Sequence, residues 1–183
     1  MERIKEISLK YGLSHNGSCL TAYPIIDEIY SIKKPDEPFV LSCGHAGLAL
    51  YAILEKYHGF DADKLYLKHG THPNRDLGDK IYCSTGSLGH GLPIACGMAM
   101  ADRTKNVYCL ISDGESFEGT IWETANIVDK YHLTNLKIYV NFNGWGAYDP
   151  ITFKHIEKLQ FIFPEINIIR TEVKDQSSHY TKL

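Results

Sequence analysis

This sequence predicts an α/β fold: a mostly parallel sheet with helices on both faces. Three observations lead there. The segments "NVYCLIS" and "LKIYVNF" are rich in β-formers and apolar on both alternating sides, as strands covered on two faces are. They alternate with stretches whose apolar residues recur at helical spacing. Polar residues, Asp113 and Asn143, stand where those two strands end, and open α/β sheets bind their ligands beyond the carboxyl ends of the strands.

The elements follow in order. Residues 1–12 read as a short amphipathic helix. "HNGSCLTAYPIIDEIYSI" is a second helix, continuing through Ile29 and Tyr30, with Ser18 as its capping residue. "KKPDEP" breaks the chain, and "FVLS" reads as a short buried strand. "GHAGLALYAILEKYHG" is a helix beginning after Gly44. Residues 60–84 contain Gly70, Pro73 and Gly78 and read as irregular. "GSLGHGLPIACGMAMADR" is a glycine-rich turn running into an apolar helix. "NVYCLIS", the helix "SFEGTIWETANIVDKYH" and "LKIYVNF" come next. "ITFKHIEKLQFIF" reads as one helix, and "EINIIRTEV" as a last strand.

A chain of 183 residues favours a single domain spanning 1–183. Its 44% hydrophobic and 22% charged residues are those of an ordinary globular protein. A net charge of -3 gives no electrostatic case for nucleic acid or an anionic membrane. No apolar run approaches the roughly 20 residues that cross a bilayer. "MERIKEISLKYG" lacks the apolar centre of a secretion signal, so the cytoplasm is the expected location. The cysteines at 19, 43, 83, 96 and 109 form no CxxC pair and read as buried thiols. Cys43, His45, His69 and His72 lack the flanks and spacing of a zinc site. "GSLGHG" has the spacing G-x-x-G-x-G, not the G-x-G-x-x-G of a dinucleotide turn, and no P-loop is present.

Asp113 is followed by Gly114, and Asn143 by Gly144. Each pair is also an ordinary turn sequence. If the preceding strands are parallel neighbours, however, the two side chains meet at one sheet edge. Two such oxygens plus a carbonyl make an incomplete hard shell, suited to Mg²⁺ or Ca²⁺ with ligand phosphates completing it. A helix starting near Ser116 would aim its free amides at the same place.

The stretch "SDGESFEGTIWE…LTNLKIYVNFNGW" resembles the thiamine diphosphate motif of transketolases. By that resemblance Asp113, Asn143 and the Trp145 carbonyl hold the metal (Mg²⁺, or Ca²⁺ or Mn²⁺ in its place), and Gly114 approaches the diphosphate. Ser112 stands where the family usually has glycine, and Gly144-Trp145 where a smaller aliphatic residue usually follows the asparagine. Upstream, "SHNGSCLTAYPIIDEIY" resembles the segment that places His15 at the substrate mouth. "FVLSCGHAGLALYAIL" resembles the one that places His45 near the diphosphate and the reacting carbon. "GTHPNR" matches His72, and "STGSLGHGLPIACGMAMA" matches a family glycine loop with His90 in place of glutamine. The resemblance sets Gly86 against the aminopyrimidine and Leu88 near the cofactor's centre, and adds Ser87 and Glu115 to the cofactor contacts. It makes Glu118 a carboxylate at a subunit interface linking paired sites, with Glu123 beside it.

The family's pyrimidine-binding domain, which supplies the glutamate that activates the cofactor, has no counterpart here. The Gly-His-Asp segment beyond the asparagine strand is missing as well. Residues 168–174 resemble a later basic strand, and His179 is aligned with a late histidine. The resemblance therefore implies the diphosphate-binding half of a split enzyme. A separately encoded pyrimidine-binding chain would complete it, in an α2β2 assembly that transfers a two-carbon ketol unit between sugar phosphates. Two further readings stay open: another thiamine diphosphate enzyme, acting on 2-oxo acids as a decarboxylase or acyl-transferring synthase, and a non-catalytic regulatory binding module.

Overall fold

The computed structural model describes residues 1–14, 16–146, 149–163 and 165–172. Helices α1 (Glu2–Tyr11) and α2 (Asn16–Ile32) lead into strand β1 (Phe39–Leu41). A short 3-10 turn then opens α3 (Gly47–His58), followed by α4 (Ala62–His69) and α5 (Gly91–Ala101). Strand β2 (Val107–Ser112), helix α6 (Gly119–Tyr131) and strand β3 (Leu136–Phe142) come next. Two short helices, α7 (Phe153–Ile156) and α8 (Lys158–Ile162), precede β4 (Ile166–Arg170). The strands form one sheet in the order β1-β2-β3-β4, parallel throughout.

Alternation along the strands divides the core in two. Phe39, Leu41, Tyr108, Leu110 and Tyr139 pack with α1, α2, α3 and α4 on one face. Val40, Val107, Cys109, Ile111, Ile138 and Val140 pack with α5, α6, α7 and α8 on the other. Every residue of β2 is buried, so the two-sided apolar pattern reflects cover on both faces. β4 is half-exposed at the sheet edge.

Four expectations are corrected. Residues 60–84 are not wholly irregular: Asp61 caps α4, its carboxylate accepting from the Asp63 and Lys64 amides, and Ala62 and Leu65 anchor the helix to the core. Ser18 is not a cap, because α2 already begins at Asn16. The helix placed near Ser116 starts later: a 3-10 turn fills Gly114–Phe117, and α6 begins at Gly119. The helix drawn through 151–163 breaks at Glu157 into α7 and α8. The readings at His15, Lys174 and His179 lie outside the described residues.

Register brings the strand ends together. Ser112, the last residue of β2, pairs with Asn141 of β3, and the Asp113 amide donates to the Asn141 carbonyl (3.1 Å). The Ser42 amide, just past β1, donates to the Leu110 carbonyl (2.9 Å). Three chain segments therefore leave the sheet side by side at its carboxyl edge.

Candidate functional site

Asp113 sits at that edge, 1% exposed. Its Oδ2 accepts from the backbone amides of Asn143 (2.9 Å) and Gly144 (2.7 Å), and its Oδ1 from that of Gly114 (3.0 Å). The carboxylate of one strand end thus holds the turn at the next. Burial pushes the Asp113 carboxyl up to about 6, against the pull of those three amides. Among the described residues no cation pairs with it. The Asn143 side-chain oxygen accepts from the Trp145 amide (2.9 Å), which turns the loop back over the strand end.

A cavity of about 230 Å³ opens in front of these residues. It brings together His45, His72, Gly86, Leu88, Asp113, Gly114, Asn143 and Trp145, all singled out in the sequence. Ser87 is exposed outside it. Glu118 precedes α6 and borders an adjacent cavity of about 270 Å³, which shares Leu88, Gly114 and Gly146 with the first. Glu115 reaches neither cavity: it is fully buried, its carboxylate held by Ser42 Oγ and the amides of Gly89 and Ser112. His155 stacks on the Phe117 ring, with centroids 4.0 Å apart.

The lining also includes Ser18, Cys43, Ser112 and Asn141, which sequence reasoning missed as site residues. Asn141 is 2% exposed on the α2 side of β3. Its Nδ2 donates to Thr21 Oγ1 (2.9 Å), and its Oδ1 accepts from Thr171 Oγ1 (2.6 Å). An amide side chain within the apolar run Ile138–Phe142 of β3 was the signal available. Burial raises the Cys43 thiol well above its ordinary range, which keeps it a neutral wall. Neither Lys nor Arg lines the cavity among the described residues. Elsewhere, His69, Asp76 and Asp79 cluster closely, but the Lys68 ammonium already bridges the two carboxylates (2.8 and 2.7 Å).

An open parallel α/β domain with a polar cleft at the carboxyl ends of its strands is the class these features define. The chain belongs to the transketolase family: residues 15–145 match the family model described as "Transketolase, thiamine diphosphate binding domain". It is 34% identical over 168 residues to a transketolase of Homo sapiens, an alignment covering 79% of this chain and 26% of that protein. It is 34% identical over 163 residues to one of the subunits of the apulose-4-phosphate transketolase from Phocaeicola vulgatus, covering 78% of this chain and 57% of that one. The crystal structure of a Campylobacter jejuni transketolase superposes with a TM-score of 0.54 at 20% identity, covering 74% of this chain and 29% of that one, which shows the shared fold. The chain thus spans about a quarter of the length of the full-length transketolases it matches.

Proposed function

We propose that this chain binds thiamine diphosphate through a divalent cation held by Asp113, Asn143 and the Trp145 carbonyl. The observation that carries this reading is the junction of Asp113 with the Asn143–Gly144 turn across adjacent strand ends, facing the cavity. The donor set fits. A carboxylate offers about four lone-pair sites; the three amide bonds leave one, on Oδ1. The Asn143 oxygen likewise keeps a lone pair beside the Trp145 bond. A buried carboxylate with no cationic neighbour among the described residues is what a bound Mg²⁺, Ca²⁺ or Mn²⁺ would compensate.

The cofactor, when bound, supplies the carbon nucleophile and electron sink that ketol transfer needs. This chain's own part is to anchor and to handle protons. Asp113 and Asn143 fix the cation and, through it, the diphosphate. The loop carrying Gly86, Ser87 and Leu88 backs the rings. His45 and His72 on the cavity wall, with His15, orient substrate hydroxyls and take or return protons at them.

A second chain with the pyrimidine-binding domain completes the site, and the substrates are sugar phosphates. Among the described residues neither Lys nor Arg lines the cavity, which supports a partner chain as the source of the cation that grips a phosphate. The similarity to a protein that is itself one subunit of a transketolase supports the two-chain reading. Self-association into an α2β2 assembly has support of its own. Helix α5 carries no charged residue and exposes Ile94, Gly97 and Met100, while α6 beside it exposes Ile127 and Tyr131. Glu118 directly precedes α6, and the role proposed for it is to join paired sites.

Calorimetry with thiamine diphosphate and Mg²⁺, on this chain assembled with a pyrimidine-binding partner, tests the reading. Asp113→Ala should abolish binding; unchanged affinity sinks the site. Assaying the same assembly with ketose phosphates and with 2-oxo acids decides the reaction, and turnover of only the latter would overturn ketol transfer.

A further inference from the structure

Two carboxylates stand two residues apart in the turn after β2, and only Asp113 reaches the cavity. Glu115 is the most enclosed acidic side chain of this region, at 0% exposure. Its Oε1 accepts from Ser42 Oγ (2.5 Å) and from the Gly89 amide (2.9 Å). Its Oε2 accepts from the Ser112 amide (2.9 Å), and its own amide donates to Ser112 Oγ (3.4 Å). One side chain therefore ties the end of β1, the end of β2 and the glycine-rich loop.

The loop has no regular secondary structure of its own. Residues 86–89 form a bend and turn leading to α5, outside any strand or helix. Gly89 has φ +78, and a Cβ there would fall 2.6 Å from Glu118 Cβ and Thr120 Oγ1. Its carbonyl accepts from Thr120 Oγ1 (2.9 Å) while its amide is taken by Glu115. Gly86 and Leu88, a few residues back, form cavity wall. Where Gly89 sits decides where that wall stands relative to Asp113.

We propose that Glu115 is a positioning residue: it touches no ligand and sets the glycine loop against the Asp113 turn, so that the cavity keeps its shape before anything binds. The assignment rests on the cofactor reading of the cavity, and it replaces direct cofactor contact as the role of this residue. An apolar side chain would leave two backbone amides and a hydroxyl buried without partners. A glutamine has one oxygen where two are needed, so it loses one of the amides.

Amide hydrogen exchange on the full chain without ligand tests this directly, followed by thiamine diphosphate and Mg²⁺ titration of the assembly with its partner. Glu115→Ala should speed exchange in residues 86–90 at least tenfold while β3 keeps its protection, and should weaken cofactor binding at least tenfold. Glu115→Gln should fall between Ala and the natural residue. Asp113→Ala should abolish binding yet leave exchange at 86–90 unchanged, because its amide partners are at 114, 143 and 144. If Glu115→Ala does not fold, Glu115→Gln and Ser42→Ala carry the test, each expected to loosen the same segment. Unchanged exchange at 86–90 in the folded variants overturns the proposal, as does a rise spread equally over β2 and β3. A natural chain that binds no thiamine diphosphate would defeat the cofactor reading while the exchange result still judges Glu115.

Discussion

Replacing Asp113 with asparagine should change how the metal-free chain responds to pH, and the sign is fixed by the structure. Burial raises the Asp113 carboxyl from 3.8 to about 6, the three backbone amides offsetting only part of the cost. At 1% exposure, solvent screening does little to relieve it. In the unfolded chain the group titrates near the ordinary carboxylate value. Between the two values the folded chain holds the proton and the unfolded chain does not. Folding stability therefore falls as pH rises through that window, and the loss is complete above the folded value. The gap corresponds to about 3 kcal/mol. Asp113→Asn has no proton to lose there. Asp76 and Asp79, held low by the Lys68 ammonium, slope the other way in both proteins and cancel in the difference. Urea unfolding of both chains from about pH 3.5 to about pH 7 measures it. The stability of the natural chain minus that of the variant should drop by about 3 kcal/mol over the window. Adding the cation reverses the dependence: the proton must leave before the metal binds, so cation and cofactor affinity should weaken about tenfold per pH unit on acidification below the folded value. Parallel stability curves for the two proteins would refute the reasoning.

Gly91→Ala should destabilise the chain by about 1–3 kcal/mol in urea, because its Cβ would lie 2.5 Å from Ser42 Cα, a backbone atom with no room to retreat. Lys137→Ala removes a half-exposed ion pair with Glu165 (2.6 Å) at the sheet edge; thermal unfolding should show a change below about 1 kcal/mol. His72→Ala should leave stability within about 0.5 kcal/mol, since the ring is exposed, yet lower turnover of the assembled enzyme by about 100-fold or more if the ring handles protons at the cavity wall.

The strands and their parallel order were legible because burial on both faces leaves an unbroken apolar run, as in β2. The meeting of Asp113 with the 143–144 turn followed from strand adjacency, and the Ser112–Asn141 register supplies it. Helix α4 was hidden because its signal is brief: an Asp61 cap and two buried residues within a stretch full of turn formers. Asn141 was hidden for another reason. Period-two alternation puts it on the face shared with Tyr139, under α2, where its partner Thr21 is 120 residues away in the chain. No local pattern encodes that contact. Ser18 was read as a cap from its residue type alone, whereas α2 already begins at Asn16, whose side chain bonds Ser8 Oγ and the Leu13 carbonyl.

Asp113 and Glu115 show most plainly what sequence leaves undecided. Both follow the same strand, both are buried, and each accepts three hydrogen bonds through its two oxygens. Neither hydrogen-bond count nor burial separates a ligand-facing carboxylate from a scaffolding one. Direction does. The 3-10 turn over Gly114–Phe117 rotates the second carboxylate away from the cavity and beneath the glycine loop, where its partners are Ser42, Gly89 and Ser112. In the proposed reading the tight turn divides the work: one acid is left to a cation, and the other fixes the wall that the cation's ligand would meet.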